Sequence, residues 1–227
     1  MELVVEDDRL FADLMALCLR LPGSPFEQQL RMALQDAYYR HLRPALEHDV
    51  VTSVRKHAEQ EAVRVFRENT ANLLMAPAAG SIAVMGVERG AKGEGHFVVV
   101  DASGGFLEHT VIAPEALAAD AEGADAEQAV LDLVKNHGVQ GIAVGNSTQA
   151  RDVGRLLKRI LAKHGIRNVF CCFVNDAGAG TYAASKNARE ELPDLEPVAR
   201  SAVSIARRLQ DPLAELVKID PRNIGVG

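Results

Sequence analysis

Ser81-Ile82-Ala83-Val84-Met85-Gly86-Val87-Glu88-Arg89-Gly90 is the stretch that decides the fold. Its apolar run, Ile82–Val87, is too short for a typical helix. Small residues precede it and a glycine-rich turn follows, a pattern that predicts a buried strand. The run ends on Glu88, which leaves a carboxylate at the mouth of a sheet. Gly90, Gly93 and Gly95 then turn the chain into a second apolar run, His96–Val100. A strand with an acid at its tip, followed by a glycine turn, is one way to place a metal or phosphate site.

Working outward toward the C-terminus, strands and helices alternate. Ile82–Val87, Phe97–Val100 and Phe106–Ile112 read as three short strands, the last two joined at Ser103-Gly104-Gly105. Asp125–Asn136 reads as a helix, Val139–Val144 as a strand, Ser147–His164 as a helix and Val169–Val174 as a strand. Thr181–Leu192 and Pro197–Gln210 follow as helices, and Asp211-Pro212 starts another. Three meandering strands followed by two αβ units predict an α/β fold: a ribonuclease H-like, mixed five-stranded sheet flanked by helices. A Rossmann fold needs a helix directly after its first strand. An actin-like ATPase needs two such domains, and this chain has room for one.

Working back toward the N-terminus, the pattern is all helical. Asp7 or Asp8 caps a helix that carries Leu10, Phe11, Leu14, Met15, Leu17 and Cys18 on its apolar side. Leu21-Pro22-Gly23 stops it, and Ser24-Pro25-Phe26-Glu27 gives the start signals of the next. Pro44 is expected to kink or end that second helix. A third helix is expected from about Val50 to Leu74. Val54, Ala58, Ala62, Val65, Phe66 and Leu73 form its core-facing side, with charges between them. The expected organisation is a helical region at 1–79, a sheet domain at 80–195 and C-terminal helices at 196–227.

Composition narrows the function. The 227 residues are 48% hydrophobic with 4% aromatic and no tryptophan, so aliphatic side chains must fill the core. A net charge of −6 argues against coating nucleic acid by bulk charge but leaves room for a local basic face. The three cysteines, Cys18 and the adjacent Cys171-Cys172, fit neither a disulfide framework nor a metal spacing; the pair is expected in the core. No signal peptide and no run long enough for a membrane span is visible, so a soluble, cytoplasmic protein is expected. The seven histidines are scattered, none at a metal-binding interval from another.

In a ribonuclease H-like sheet, carboxylates at adjacent strand tips and on a late helix gather two divalent cations that activate water. The candidates are Glu88 after the first strand, Asp176 after the last strand and Asp211 at a late helix start; magnesium or manganese would be the cofactor if that set were intact. The tip of the Val139–Val144 strand carries Asn146, an amide in place of an acid. Gly145-Asn146-Ser147-Thr148 opens a helix, and either holds a phosphate or simply caps that helix. Arg151, Arg155, Arg159 and Lys163 recur every four residues along it, with Lys158 beside them. They form either a solvated face or a groove for a phosphate backbone. No aromatic residue interleaves them.

The C-terminal run from Val174, VNDAGAGTYAAS through AREELPDL to ARSAVSIARRLQDPLAELVKIDPRNIGVG, resembles the Tex (transcription accessory protein) family. IAVGNSTQARD at Ile142–Asp152, VMGVERGAKGEGHFVVVD at Val84–Asp101 and EQEAVRVFRENTANLLMAPAAG at Glu59–Gly80 resemble it as well. The likeness covers roughly Phe26 to the end. It implies a YqgF-type, RuvC-related domain preceded by helices. It also implies an association with nucleic acid, RNA or DNA, and with the transcription machinery. Family members continue into helix-hairpin-helix modules and an OB-type RNA-binding domain, so this chain is expected to be a fragment.

The family usually has Asp-Pro where this chain has Glu88-Arg89, and Glu where it has Asp176; Asp211 matches. An arginine of the family's first hairpin is Lys92 here. Swapped acid lengths move a carboxylate by about one methylene, which metal geometry tolerates poorly. The expected function is therefore a non-catalytic scaffold that contacts nucleic acid through Lys92, Asn146, Ser147, Thr148, Arg151, Arg155 and Arg159. The alternatives are a divalent-metal-dependent nuclease or Holliday-junction-resolvase-like enzyme using Glu88, Asp176 and Asp211, and a purely structural interaction domain.

Overall fold

A computed structural model describes residues 7–18, 23–118 and 124–224 of the chain. The chain divides into two units, Met1–Val65 and Phe66–Gly227.

The first unit is helical. It holds α1 (Asp7–Cys18), α2 (Glu27–Ala37), a π-helical turn at Tyr38–Leu42 and the first part of α3 (Arg43–Leu74). Tyr38 is its buried anchor: the phenol donates to Asp7 Oδ1 at 2.8 Å and the ring lies 6.2 Å from that of Phe11. Arg43 closes on the same Asp7 carboxylate. Two expectations are corrected here. Pro44 does not end the helical path. The π turn shifts the hydrogen bonding so that the Arg43 N–H reaches Tyr38 O, five residues back, and Pro44 falls in the first turn of α3, where its missing N–H costs least. α3 also begins at Arg43 rather than near Val50, and none of its residues is buried. Val54 and Val65, expected on a packed side, are exposed. Threes-and-fours spacing places residues on one side of a helix but supplies no neighbour to cover them.

The second unit is built on five strands: β1 (Val84–Arg89), β2 (Gly95–Val100), β3 (Phe106–Ile112), β4 (Gly141–Gly145) and β5 (Phe170–Val174). Their order is β3-β2-β1-β4-β5. β2 runs antiparallel to β1 and β3, whereas β4 runs parallel to β1 and β5 parallel to β4. This is the ribonuclease H-like arrangement, with the opening stretch as its central strand. The crossovers are α5 (Ala124–Asn136), which follows the short α4 (Pro114–Ala118), and α6 (Thr148–Lys163). Beyond β5 come α7 (Ala179–Ala184), α8 (Lys186–Glu191), α9 (Pro197–Gln210) and α10 (Pro212–Leu216). The single helix expected at Thr181–Leu192 is broken at Ser185, whose extended backbone and hydroxyl cap α8.

Both faces of the sheet are covered, which is why β1 and β4 read as continuous apolar runs rather than alternating ones. Met85, Val87, Phe97, Ile142 and Val144 face α5 and α6. Val84, Val98, Val100 and Ala143 face α9, through Ala199, Ala202, Ile205 and Ala206. Cys171 and Cys172, expected in the core, are half-buried on the edge strand β5; burial pushes the Cys171 thiol up to about 11. Among the described residues no helix is long and apolar enough to cross a membrane.

Candidate functional site

The strand tips are aligned by register. Val87 stands opposite Val144, and Gly145 opposite Val174, all in parallel pairs. Glu88, Asn146 and Asp176 therefore follow on three neighbouring strands at one edge of the sheet. The fourth wall is the first half of α9. Ser201 Oγ donates to Glu88 Oε2 at 3.2 Å, and Glu88, Arg89, Asp176 and Ser201 line a cleft of about 330 Å³.

Each member is held by a local cause. Glu88 Oε1 accepts the Arg89 backbone N–H at 2.9 Å. Burial pushes the Glu88 carboxyl above the usual carboxylate range, and the Asp176 charge pushes the same way; the bonds from Arg89 N–H and Ser201 pull it back. Asp176 Oδ2 accepts the Ser147 N–H at 3.3 Å and lies over the end of β4. A Cβ on Gly145 would stand 3.0 Å from that oxygen, so a side chain there would press on the Asp176 carboxylate. The loop under Asp176 is clamped from behind by the buried guanidinium of Arg208, whose Nη1 donates to Asn175 O at 2.7 Å and Ala177 O at 2.8 Å. Gly178 then turns into α7 at φ +73°, the left-handed region in which glycine is unstrained. Arg89 bends away from the acids, its Nε donating to Gly93 O at 2.9 Å.

Asp211 is not part of this cluster, contrary to expectation. α9 runs antiparallel to β1: Ser201 meets Glu88 at one end, and Gln210 donates to Ile82 O and Asp101 O, both at 2.7 Å, at the other. Ten residues of helix put Asp211 about 15 Å farther along. There its Oδ1 caps α10 by accepting the Ala214 N–H at 3.0 Å. The late-helix position facing the strand tips is Ser201, a hydroxyl, and the β4 tip carries the Asn146 amide.

Two carboxylates remain. A cation pair 3.5–4 Å apart needs acids that bridge and flank both ions, and this donor set does not fit one. Among the described residues no group of three His, Cys, Asp or Glu side chains converges in a way that fits a metal.

The basic helix starts at the same edge. Ser147 is the N-cap of α6, accepting from Ala150 N at 3.2 Å, so its hydroxyl is engaged as a cap. The side chain of Thr148 lies outside the described residues. Lys92 is exposed in the β1–β2 turn. Arg151, Arg155 and Arg159 are all exposed along α6. Arg155 pairs with Asp152 at 2.8 Å, and Lys163, farther along, with Glu127 at 2.8 Å. Among the described residues Arg151 and Arg159 have no ion-pair partner.

Ser201 and Arg208 escaped the sequence reading because their roles depend on the direction in which α9 crosses β1. A histidine pair escaped it too. His96 Nδ1 and His109 Nε2 lie 3.1 Å apart with their rings stacked, an arrangement made by strand pairing and not by spacing.

Residues 82–210 match the family model described as the Tex protein YqgF-like domain. Among curated relatives, Protein tex of Bordetella pertussis is 41% identical over 186 residues, which is 82% of this chain and 23% of that protein. Transcriptional accessory protein Tex of Neisseria gonorrhoeae is 37% identical over 183 residues, 81% of this chain and 23% of that protein. S1 RNA-binding domain-containing protein 1 of Homo sapiens is 33% identical over 197 residues, 86% of this chain and 19% of that protein. The chain spans about a quarter of the length of the curated relatives it matches.

Proposed function

The chain belongs to the Tex family through its YqgF-like domain, and on that premise we propose that the domain is a non-catalytic scaffold that contacts nucleic acid beside its strand tips. The observation that carries this reading is the pair of neutral side chains at the acid cleft. Asn146 and Ser201 occupy the two positions, strand tip and late helix, from which further carboxylates would come. The neighbouring surface is cationic: Lys92 in the hairpin turn and Arg151, Arg155 and Arg159 on α6 lie outside the cleft and face solvent. Arginines on a helix neutralise phosphates without reading sequence. A relative named for an S1 RNA-binding domain, and another named a transcriptional accessory protein, are consistent with such a role in a longer polypeptide.

The test is a salt titration of RNA and DNA binding by the longest natural form of the protein, with Arg151, Arg155 and Arg159 reversed to glutamate together. Three lost phosphate contacts should flatten the slope of log K against log salt by roughly 2–3. An unchanged slope removes α6 from the interface.

The nuclease reading keeps one supporting observation, the shared cleft of Glu88 and Asp176. It requires cleavage of branched DNA or RNA in magnesium or manganese that disappears in Glu88→Gln.

A further inference from the structure

β5 ends the sheet, and its outer edge carries no partner strand among the described residues. The opposite edge, β3, is guarded. It carries Glu108 and His109 within the strand, Glu108 is tied to His137 at 2.6 Å, and a bulge interrupts its pairing with β2. β5 has no such guard. Phe170-Cys171-Cys172-Phe173-Val174 contains no charge and no proline, and Phe170 and Phe173 are 45% and 42% exposed. An open, apolar, uncharged edge is a template for strand addition that proteins normally blunt.

The α6 side of this edge is shaped and charged. Gly154 lets the Phe173 ring lie against the helix, since a Cβ there would stand 2.8 Å from the ring. Lys158 Nζ sits 5.2 Å from the centre of that ring. Next to it, Leu161, Ile166, Val169 and Cys171 wall a cavity of about 370 Å³, with Lys158 and Arg167 also in its lining and no carboxylate. Among the described residues neither cation has an ion-pair partner. Side chains on a strand alternate between faces, and Cys171 and Phe173 both face α6.

We propose that the β5–α6 groove docks an extended acidic segment of a partner protein. The segment adds to the sheet as a further strand through β5. One aliphatic side chain fills the cavity beside Cys171, and carboxylates two places to either side meet Lys158 and Arg167. The positive rim selects an acidic partner over a basic one.

The experiment uses a short fluorescent peptide carrying valine with a glutamate two places on each side, titrated into this chain and followed by anisotropy. Binding is expected to weaken with salt and to fall about tenfold in Lys158→Glu combined with Arg167→Glu. Both side chains are exposed, so the variant should keep its fold, which circular dichroism checks. Methylating the peptide's edge-facing backbone nitrogens should abolish binding while leaving every side chain in place. Absence of binding, equal binding of the methylated peptide, or equal binding of a lysine-for-glutamate peptide would overturn the proposal. Displacement by a single-stranded oligonucleotide whose own affinity drops in the same double variant would overturn it as well, and would give the groove to nucleic acid. Binding to this chain that is absent from its longer natural form would overturn a partner in trans, by showing the groove covered in cis.

Discussion

Gly86 lies beneath the main chain of Ala202: a Cβ on Gly86 would stand 2.1 Å from the Ala202 carbonyl oxygen and 3.0 Å from the Ala206 Cβ. This contact lets α9 sit directly on the central strand, and it sets which α9 residue meets Glu88. Gly86→Ala must therefore move helix or strand, and the contact is backbone, so no side chain can swing aside. The expected cost is about 3 kcal/mol, read as a lower urea midpoint with an unchanged m-value. A variant as stable as the parent would show that α9 does not seat this way.

Glu88→Gln tests the electrostatics of the cleft. The Glu88 carboxyl titrates above its ordinary value, first because it is buried and also because Asp176 repels its charge. The ionised form is therefore less favourable in the fold than in the unfolded chain, and stability falls as pH rises from the unfolded carboxyl value through the raised one. The glutamine keeps an acceptor for Ser201. Glu88→Gln should be more stable than the parent at pH 7, by roughly 1–3 °C in Tm, and equal to it near pH 4. A glutamine variant less stable at pH 7 would contradict this balance.

Arg208→Met tests the clamp on the Asp176 loop. Arg208 is 3% exposed, and its guanidinium donates to the carbonyls of Asn175 and Ala177. Methionine fills much of the space but leaves those carbonyls short of a donor, at a cost of about 2–4 kcal/mol. Hydrogen exchange should accelerate first in the segment 175–180, which carries Asp176. Uniform acceleration throughout the sheet would mean that Arg208 supports the core at large rather than this loop.

His109→Gln tests the histidine pair. Burial and the neighbouring His96 hold His109 below its ordinary value, with Glu196 opposing them; Glu94 lies 3.7 Å from the far side of His96. The neutral form is favoured in the fold, so His109 contributes stability above the unfolded histidine value that is lost as pH falls through the lowered one. The parent's urea midpoint should drop between pH 7 and pH 5, and His109→Gln should lose less over the same interval. Parallel curves for the two proteins would place the acid sensitivity elsewhere.

Much of the sheet unit was legible because its signals are local. Short apolar runs, glycine turns and Ser147 or Asp211 ahead of a helix act within a few residues, and β1 to β5 appear within two or three residues of their expected ends. The site was legible only in part. Glu88 and Asp176 were found because both follow parallel strands, whose tips must share an edge. Asp211 was misplaced because it has the right residue type at a helix start, and type says nothing about which end of α9 meets the strand tips. α3 shows the same limit: its spacing describes a side of the helix, and none of its residues is buried.

The sequence by itself determined the succession of strands and helices, the family, and the acids at the strand tips, since periodicity, capping and turn chemistry are written in neighbouring residues. Tertiary structure alone decided that Ser201 and not an acid faces Glu88, that Arg208 holds the Asp176 loop, and that among the described residues no strand covers the β5 edge beside Lys158. Those relationships depend on how far and in which direction one element crosses another. That is fixed by close packing, here by the absence of a side chain at Gly86, and no local pattern encodes it.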